Sequence, residues 1–128
     1  MTNISGEILL QLFTFQNLIF ALAAVTFGII IGAIPGLTVT LGIILLMPLT
    51  YGLDPVTAIV SLLAIYVGGV YGGSISAILI NTPGTNSALA TTLDGYPLAQ
   101  KGKANRALST SLYASVIGGF VSGIILLI

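Results

Sequence analysis

The chain is 128 residues long, 56% hydrophobic and 5% charged, with three Lys and Arg against three Asp and Glu and a mean hydropathy of +1.16. Soluble domains carry about 25% charged residues, so this chain lacks the polar surface that a water-soluble fold needs. A net charge of zero argues against nucleic acid as a partner, and the lack of Cys and His removes disulfides, thiolate chemistry, haem and the usual zinc sites.

No charged side chain lies between Glu7 and Asp54, from Pro55 to Leu93, or from Ala107 to Ile128. A run of about 20 apolar residues crosses a bilayer core of about 30 Å, and these runs are long enough. The fold class is therefore all-α: a polytopic α-helical membrane protein. Met1 to Phe15 holds Glu7 and no Lys or Arg, so it lacks the basic start of a secretory signal. Asn3-Ile4-Ser5 matches a glycosylation acceptor, a pattern short enough to arise by chance. The closing GGFVSGIILLI has none of the charges or aromatics that anchor a span at the interface. It predicts that the chain is the N-terminal part of a larger membrane domain.

Ile4, Ile8, Leu12 and Phe15 fall at helical spacing, which predicts an interfacial helix over residues 1–16, set off by Gln16-Asn17. Residues 17–128 form the membrane domain. Its first span is predicted from Leu18 to Ile34, with Gly28, Gly32 and Gly36 four residues apart, the spacing that lets helices approach closely. Pro35-Gly36 should break it, because proline removes a backbone donor and glycine admits left-handed backbone. Leu37 to Met47 then makes only about 16 Å of helix, half a membrane. The segment fits a crossing followed by a re-entrant or broken half-helix, with Thr38 and Thr40 where half-helix amides are free.

Met47-Pro48 and Tyr51 to Pro55 mark an interfacial turn, with Asp54 as N-cap and Pro55 at the first helical position. The next span runs from Val56 to Ile80. Gly68, Gly72 and Ser76, with Gly69, Gly73 and Ala77 beside them, give it a doubled small-residue face that predicts a packing seam and a kink. Asn81 to Ser87 should be a non-helical turn restarting a helix near Ser87, capped by Asn86 or Ser87. Asp94-Gly95 should end that helix, and Tyr96-Pro97 should start another turn. Lys101, Lys103 and Arg106 hold all the positive charge, which places the loop 94–106 on the cytoplasmic side. The last span is predicted from Ala107 to Ile128, with Ser115, Gly119 and Gly123 four apart.

Several enzymatic readings are struck out by composition. Without His or Cys there is no Ser-His or Cys-His pair, and Asp54 and Asp94 sit in predicted turns rather than as a dyad within a span. Gly95 to Ala104 has six residues between its glycines and Ala104 in place of Ser or Thr, so it is not a nucleotide loop. What remains is recognition. Both Pro-Gly pairs end an apolar helix and precede hydroxyl or amide groups, and paired helix breaks point to a transporter's midplane site. A helix restarting after Pro83-Gly84 directs free N–H groups at the break, which suits a carboxylate. An inert, hydrated surface loop is the alternative from residues alone.

GAIPGL at Gly32 to Leu37, LMPLTYGLDPVTA at Leu46 to Ala58, IYVGGVYGGSISAILINTPGT at Ile65 to Thr85 and DGYPLAQKGKANRAL at Asp94 to Leu108 closely resemble the large membrane subunit of tripartite tricarboxylate transporters, the TctA family. From about Phe20 onward the chain resembles the N-terminal part of that subunit. The resemblance implies a bacterial inner-membrane permease for tri- and dicarboxylates such as citrate, working with a small membrane subunit and a periplasmic solute-binding protein. It implies secondary transport driven by Na⁺ or H⁺, with no cofactor. It makes Asn81, Thr82, Pro83, Gly84, Thr85, Asn86, Pro35 and Gly36 the candidate substrate-binding residues: Asn81, Thr82, Thr85 and Asn86 as donors, the Pro-Gly pairs as helix breakers. The rival reading is a non-transporting membrane assembly subunit built on the small-residue stripes.

Overall fold

The computed structural model describes residues 2–128, with side chains from Gly6 onward. The helices are α1 (Thr2–Leu12), α2 (Phe15–Ala33), α3 (Val39–Thr50), α4 (Pro55–Ile80), α5 (Leu89–Leu98) and α6 (Ala104–Leu127), with a 3₁₀ turn over Asn86–Ala88 and a π-type turn over Ala99–Lys103. No strand occurs among the described residues. Phe15–Ala33, Pro55–Ile80 and Asn86–Leu127 are long and apolar enough to cross a membrane, whereas Val39–Thr50 is short. The third stretch is interrupted at Gly102, whose φ is +75°, so α6 is its crossing part.

The chain leaves α1 at Phe13-Thr14, not at the expected Gln16-Asn17. Thr14 takes extended backbone before α2, and its carbonyl accepts from Leu18 N–H at 3.1 Å, which starts the helix a turn early and puts Asn17 inside it. At the other end Gly36 has a φ of +90°, the left-handed conformation glycine supplies without strain. The break is where the sequence puts it. Thr38 caps α3, its hydroxyl oxygen accepting from Leu41 N–H at 3.3 Å. The expected turn at Met47-Pro48 is instead helix, with Pro48 in the last turn of α3. The chain turns only beyond Thr50, where Asp54 accepts from Thr57 N–H at 3.1 Å and Pro55 opens α4.

The core is a seam between α2 and α4. A methyl group on Gly32 would lie 2.0 Å from the Gly69 carbonyl oxygen, and one on Gly28 2.4 Å from that of Ile65. From the other side, methyls on Gly68 and Gly72 would lie 2.3 and 2.4 Å from the carbonyl oxygens of Val25 and Ile29. Each helix thus lays its glycines on the other's backbone, which gives van der Waals contact without a hydrophobic drive. The glycine pairs serve this packing, and α4 runs uninterrupted through them. Gly36, nominally third in the α2 stripe, has no atom among the described residues within 4 Å of its methyl position. Neither does Gly119 or Gly123 on α6.

The contact order along the seam fixes the topology. Asn17 meets Thr57, Val25 meets Gly68 and Ile29 meets Gly72, so α2 and α4 run parallel. Between them α3 returns, with Val39 against Gly69 and Gly42 against Ile31 and Ile65. The first break therefore lies beside Gly69 to Gly73, in the C-terminal half of the 26-residue α4.

After Ile80 the chain turns at Asn81, in left-handed backbone (φ 55°, ψ 25°), and doubles back. Gly84 N–H donates to the Gly73 carbonyl at 3.4 Å. The second break thereby reaches the same depth along α4 as the first. From there α5 runs outward, with Gly95 against Ile78. Asp94-Gly95 does not end it. A methyl on Gly95 would sit 2.7 Å from Ile78 Cγ1, so the glycine is there for close helix contact. Helix continues through Pro97 into the π-type turn, and the left-handed Gly102 starts the chain back along α6.

Candidate functional site

Two half-helices start at one place. A cleft of about 340 Å³ is lined by Thr38, Val39 and Thr40 from the start of α3, Tyr66 and Val70 from α4, and Gly84, Thr85, Asn86 and Ser87 from the second break. Each wall has a local cause. Thr38 is held by its capping bond to Leu41. Thr85 is extended (φ −135°, ψ 156°) and its carbonyl accepts from Ala88 N–H at 3.0 Å, which begins the 3₁₀ turn leading into α5. Gly84 is wedged between helices: a methyl there would lie 2.1 Å from the Gly32 carbonyl oxygen and 3.1 Å from Ser76 Oγ. Only glycine lets the loop enter this far.

The electrostatics follow from the backbone. The first amides of a helix have no intrahelical acceptor and carry its positive dipole end. Here the starts of α3 and of the Asn86 turn leading into α5 face one cleft, with hydroxyls from Thr38, Thr40, Thr85 and Ser87 around them. Thr85 and Ser87 hydroxyls are 3.0 Å apart. No side-chain charge lines the cleft, so what it offers is a neutral, donor-rich setting for an anion.

The expected site residues divide. Gly84, Thr85 and Asn86 line the cleft. Asn81 turns the chain out of α4, and Thr82 donates to the Ile80 carbonyl at 3.2 Å. Pro83, Pro35 and Gly36 shape the breaks without lining the cleft. The capping role expected of Asn86 or Ser87 is absent, since Thr85 precedes the turn and no side chain caps it. Tyr66 and Val70 were missed. Their signal is spacing: residues 66, 70 and 73 fall at i, i+4 and i+7, one helical face with Gly73.

Two further features carry polar groups. Asn17 and Thr57 are 3% and 1% exposed, and they join the starts of α2 and α4. Asn17 Nδ2 donates to the Gln11 carbonyl at 2.6 Å, while the Thr57 hydroxyl touches Asn17 Oδ1 and lies 2.6 Å from Asp54 Oδ1. Its one hydrogen serves one of these oxygens at a time. Hydrogen bonds from the Thr57 hydroxyl, and then its amide, hold the Asp54 carboxyl below the usual aspartate range. A larger, more open cleft of about 550 Å³ lies between α4, α5 and α6, lined by Asp94 and hydroxyls including Ser74, Thr91 and Ser111. It has a carboxylate but no converging helix starts, so the smaller cleft is the better anion site.

Residues 18–128 match the model of the tripartite tricarboxylate transporter TctA family. The chain is 41% identical over 112 residues to a protein of Agrobacterium vitis described as an uncharacterized 52.8 kDa protein in the TAR-I ttuC' 3' region. That alignment covers 88% of this chain and 22% of the relative, so the chain spans about a fifth of its length. No solved structure matches the chain.

Proposed function

Since the chain belongs to the tripartite tricarboxylate transporter TctA family, we propose that it forms the N-terminal part of a membrane permease subunit and contributes one wall of that subunit's carboxylate site. The observation that carries this reading is the meeting of two half-helix starts against Gly69 to Gly73 of α4. Discontinuous helices meeting near the middle of the membrane are how transporters present unpaired amides to a carboxylate. The donors are Thr38, Thr40, Thr85, Asn86 and Ser87, together with the first amides of α3 and of the Asn86 turn. The substrate class is a tri- or dicarboxylate such as citrate, delivered by a periplasmic solute-binding protein and moved with a small membrane subunit. Na⁺ or H⁺ flowing down its gradient drives uptake across the bacterial inner membrane. Lys101, Lys103 and Arg106, all between α5 and the first turn of α6, support a cytoplasmic side for the 94–106 segment.

The test is citrate uptake by the full-length permease with its partner subunits in proteoliposomes. A hydrogen bond to a charged group is worth about 1.5–3 kcal/mol, so Thr85→Val and Asn86→Ala should each lower apparent affinity by about tenfold or more. Normal membrane abundance and wild-type uptake in both variants would overturn the assignment.

A further inference from the structure

The approach of the cleft's two helix-start walls to α4 is set by two glycines on α4. Gly69 and Gly73 are one turn apart on the face that carries Tyr66 and Val70 into the cleft. A methyl on Gly69 would lie 2.7 Å from Val39 Cγ2 and 2.9 Å from Val39 Cγ1. A methyl on Gly73 would lie 2.7 Å from Thr85 Oγ1 and 2.9 Å from both Thr85 Cγ2 and Thr85 N. Each glycine thus sets how closely one half-helix start approaches α4: Gly69 places α3, and Gly73 places the second break. Gly84 is fixed to the same residue, through its N–H to the Gly73 carbonyl.

From this geometry we propose that the Gly69–Val39 and Gly73–Thr85 contacts gauge the width of the cleft and so set the size of the carboxylate it accepts. Gly69 and Gly73 are positioning residues, and Val39 is the specificity-determining one, because it is both pressed on Gly69 and part of the lining. The inference rests on the reading of the cleft as the carboxylate site. The Gly69 contact is the more informative half. The three nearest atoms opposing its methyl belong to the Val39 side chain, and the two closest, Cγ1 and Cγ2, can be removed without touching a donor. At Gly73 a backbone amide is also in the way, and substitution there moves the donor itself.

Size complementation tests this in the full-length transporter, with KM measured for succinate and for citrate and with membrane abundance measured in parallel. Gly69→Ala should push Val39 off α4 and widen the cleft, raising the succinate-to-citrate KM ratio about tenfold, the discrimination expected of a misplaced methyl group. Val39→Ala alone, which enlarges the cleft without any clash, should shift the ratio the same way. The double variant Gly69→Ala with Val39→Ala, which removes the clashing Val39 Cγ atoms, should recover the membrane abundance lost in Gly69→Ala. An unchanged ratio in Val39→Ala overturns the proposal even if Gly69→Ala fails to assemble, and so does a double variant no better than Gly69→Ala. If Thr85→Val transports normally, the site reading falls. If Thr85→Val fails while Val39→Ala keeps the wild-type ratio, only the width gauge falls.

Discussion

The α2–α4 seam and the outer face of α6 carry the same sequence signature and have opposite fates. Gly28 and Gly32 on α2 meet the Ile65 and Gly69 carbonyls so closely that a methyl would collide. Gly119 and Gly123 on α6, also four apart, face no atom within 4 Å among the described residues. Small-residue spacing therefore reports a capacity for close approach. Whether it is used depends on a partner that offers a complementary groove at the right depth. α4 is that partner for α2, because its own glycines at 68 and 72 accept the Val25 and Ile29 carbonyls in return.

The largest expected effect breaks the seam. Gly32→Leu must drive α2 and α4 apart, since even one methyl would lie 2.0 Å from a carbonyl oxygen that belongs to a helix backbone and cannot swing aside. Overpacking typically costs about 1–3 kcal/mol, and a backbone obstacle puts this variant at or above about 3 kcal/mol. Thermal unfolding in detergent micelles measures it. Asn17→Ala comes next. It removes an interhelical hydrogen bond between the starts of the same two helices, and such bonds in membranes average about 0.6 kcal/mol with a ceiling of about 1.7 kcal/mol. A loss of about 1 kcal/mol is expected by the same assay.

Asp54 gives a smaller, pH-dependent effect at that end of the seam. Its folded pKa is lowered from the ordinary 3.8 by hydrogen bonds from Thr57. The cap's contribution is therefore complete above the unfolded value and is lost as pH falls through the folded one. Stability should be level from about pH 7 to about pH 5 and fall below about pH 4, and Asp54→Asn should flatten that acid limb. The smallest effect sharpens the comparison from the other side. Gly119→Leu has room for its side chain and should change the stability of this chain by no more than about 0.5 kcal/mol. A destabilisation comparable to Gly32→Leu would mean that α6 is packed after all.

Much of this was legible in the sequence, and what was not has a common cause. Pro35-Gly36, the short α3, the Asp54-Pro55 start and the turn at Asn81 are written locally, in residues that restrict φ or supply a cap. Gly95 was misread for the opposite reason. A glycine after an aspartate looks like a terminator, but here it is opposed by buried Ile78 from another helix, and no local rule carries that information. Asn17 was likewise read as a spacer because its partner lies 40 residues away. The candidate site was half legible. The paired breaks announced Thr85 and Asn86, whereas Tyr66 and Val70 line the cleft only because both breaks fold back onto α4 at Gly69 to Gly73.

The central claim is that the two breaks form one carboxylate cleft, and substrate protection tests it most directly. In the full-length transporter with its partners, single cysteines at Thr40 and Asn86, one on each half-helix start, would be labelled with a maleimide in the presence and absence of citrate. The account predicts that citrate slows labelling at both positions, while a cysteine replacing Gly119 on the open face of α6 reacts at the same rate with and without it. Labelling at Thr40 and Asn86 that ignores citrate, in variants that still transport it, would contradict the account.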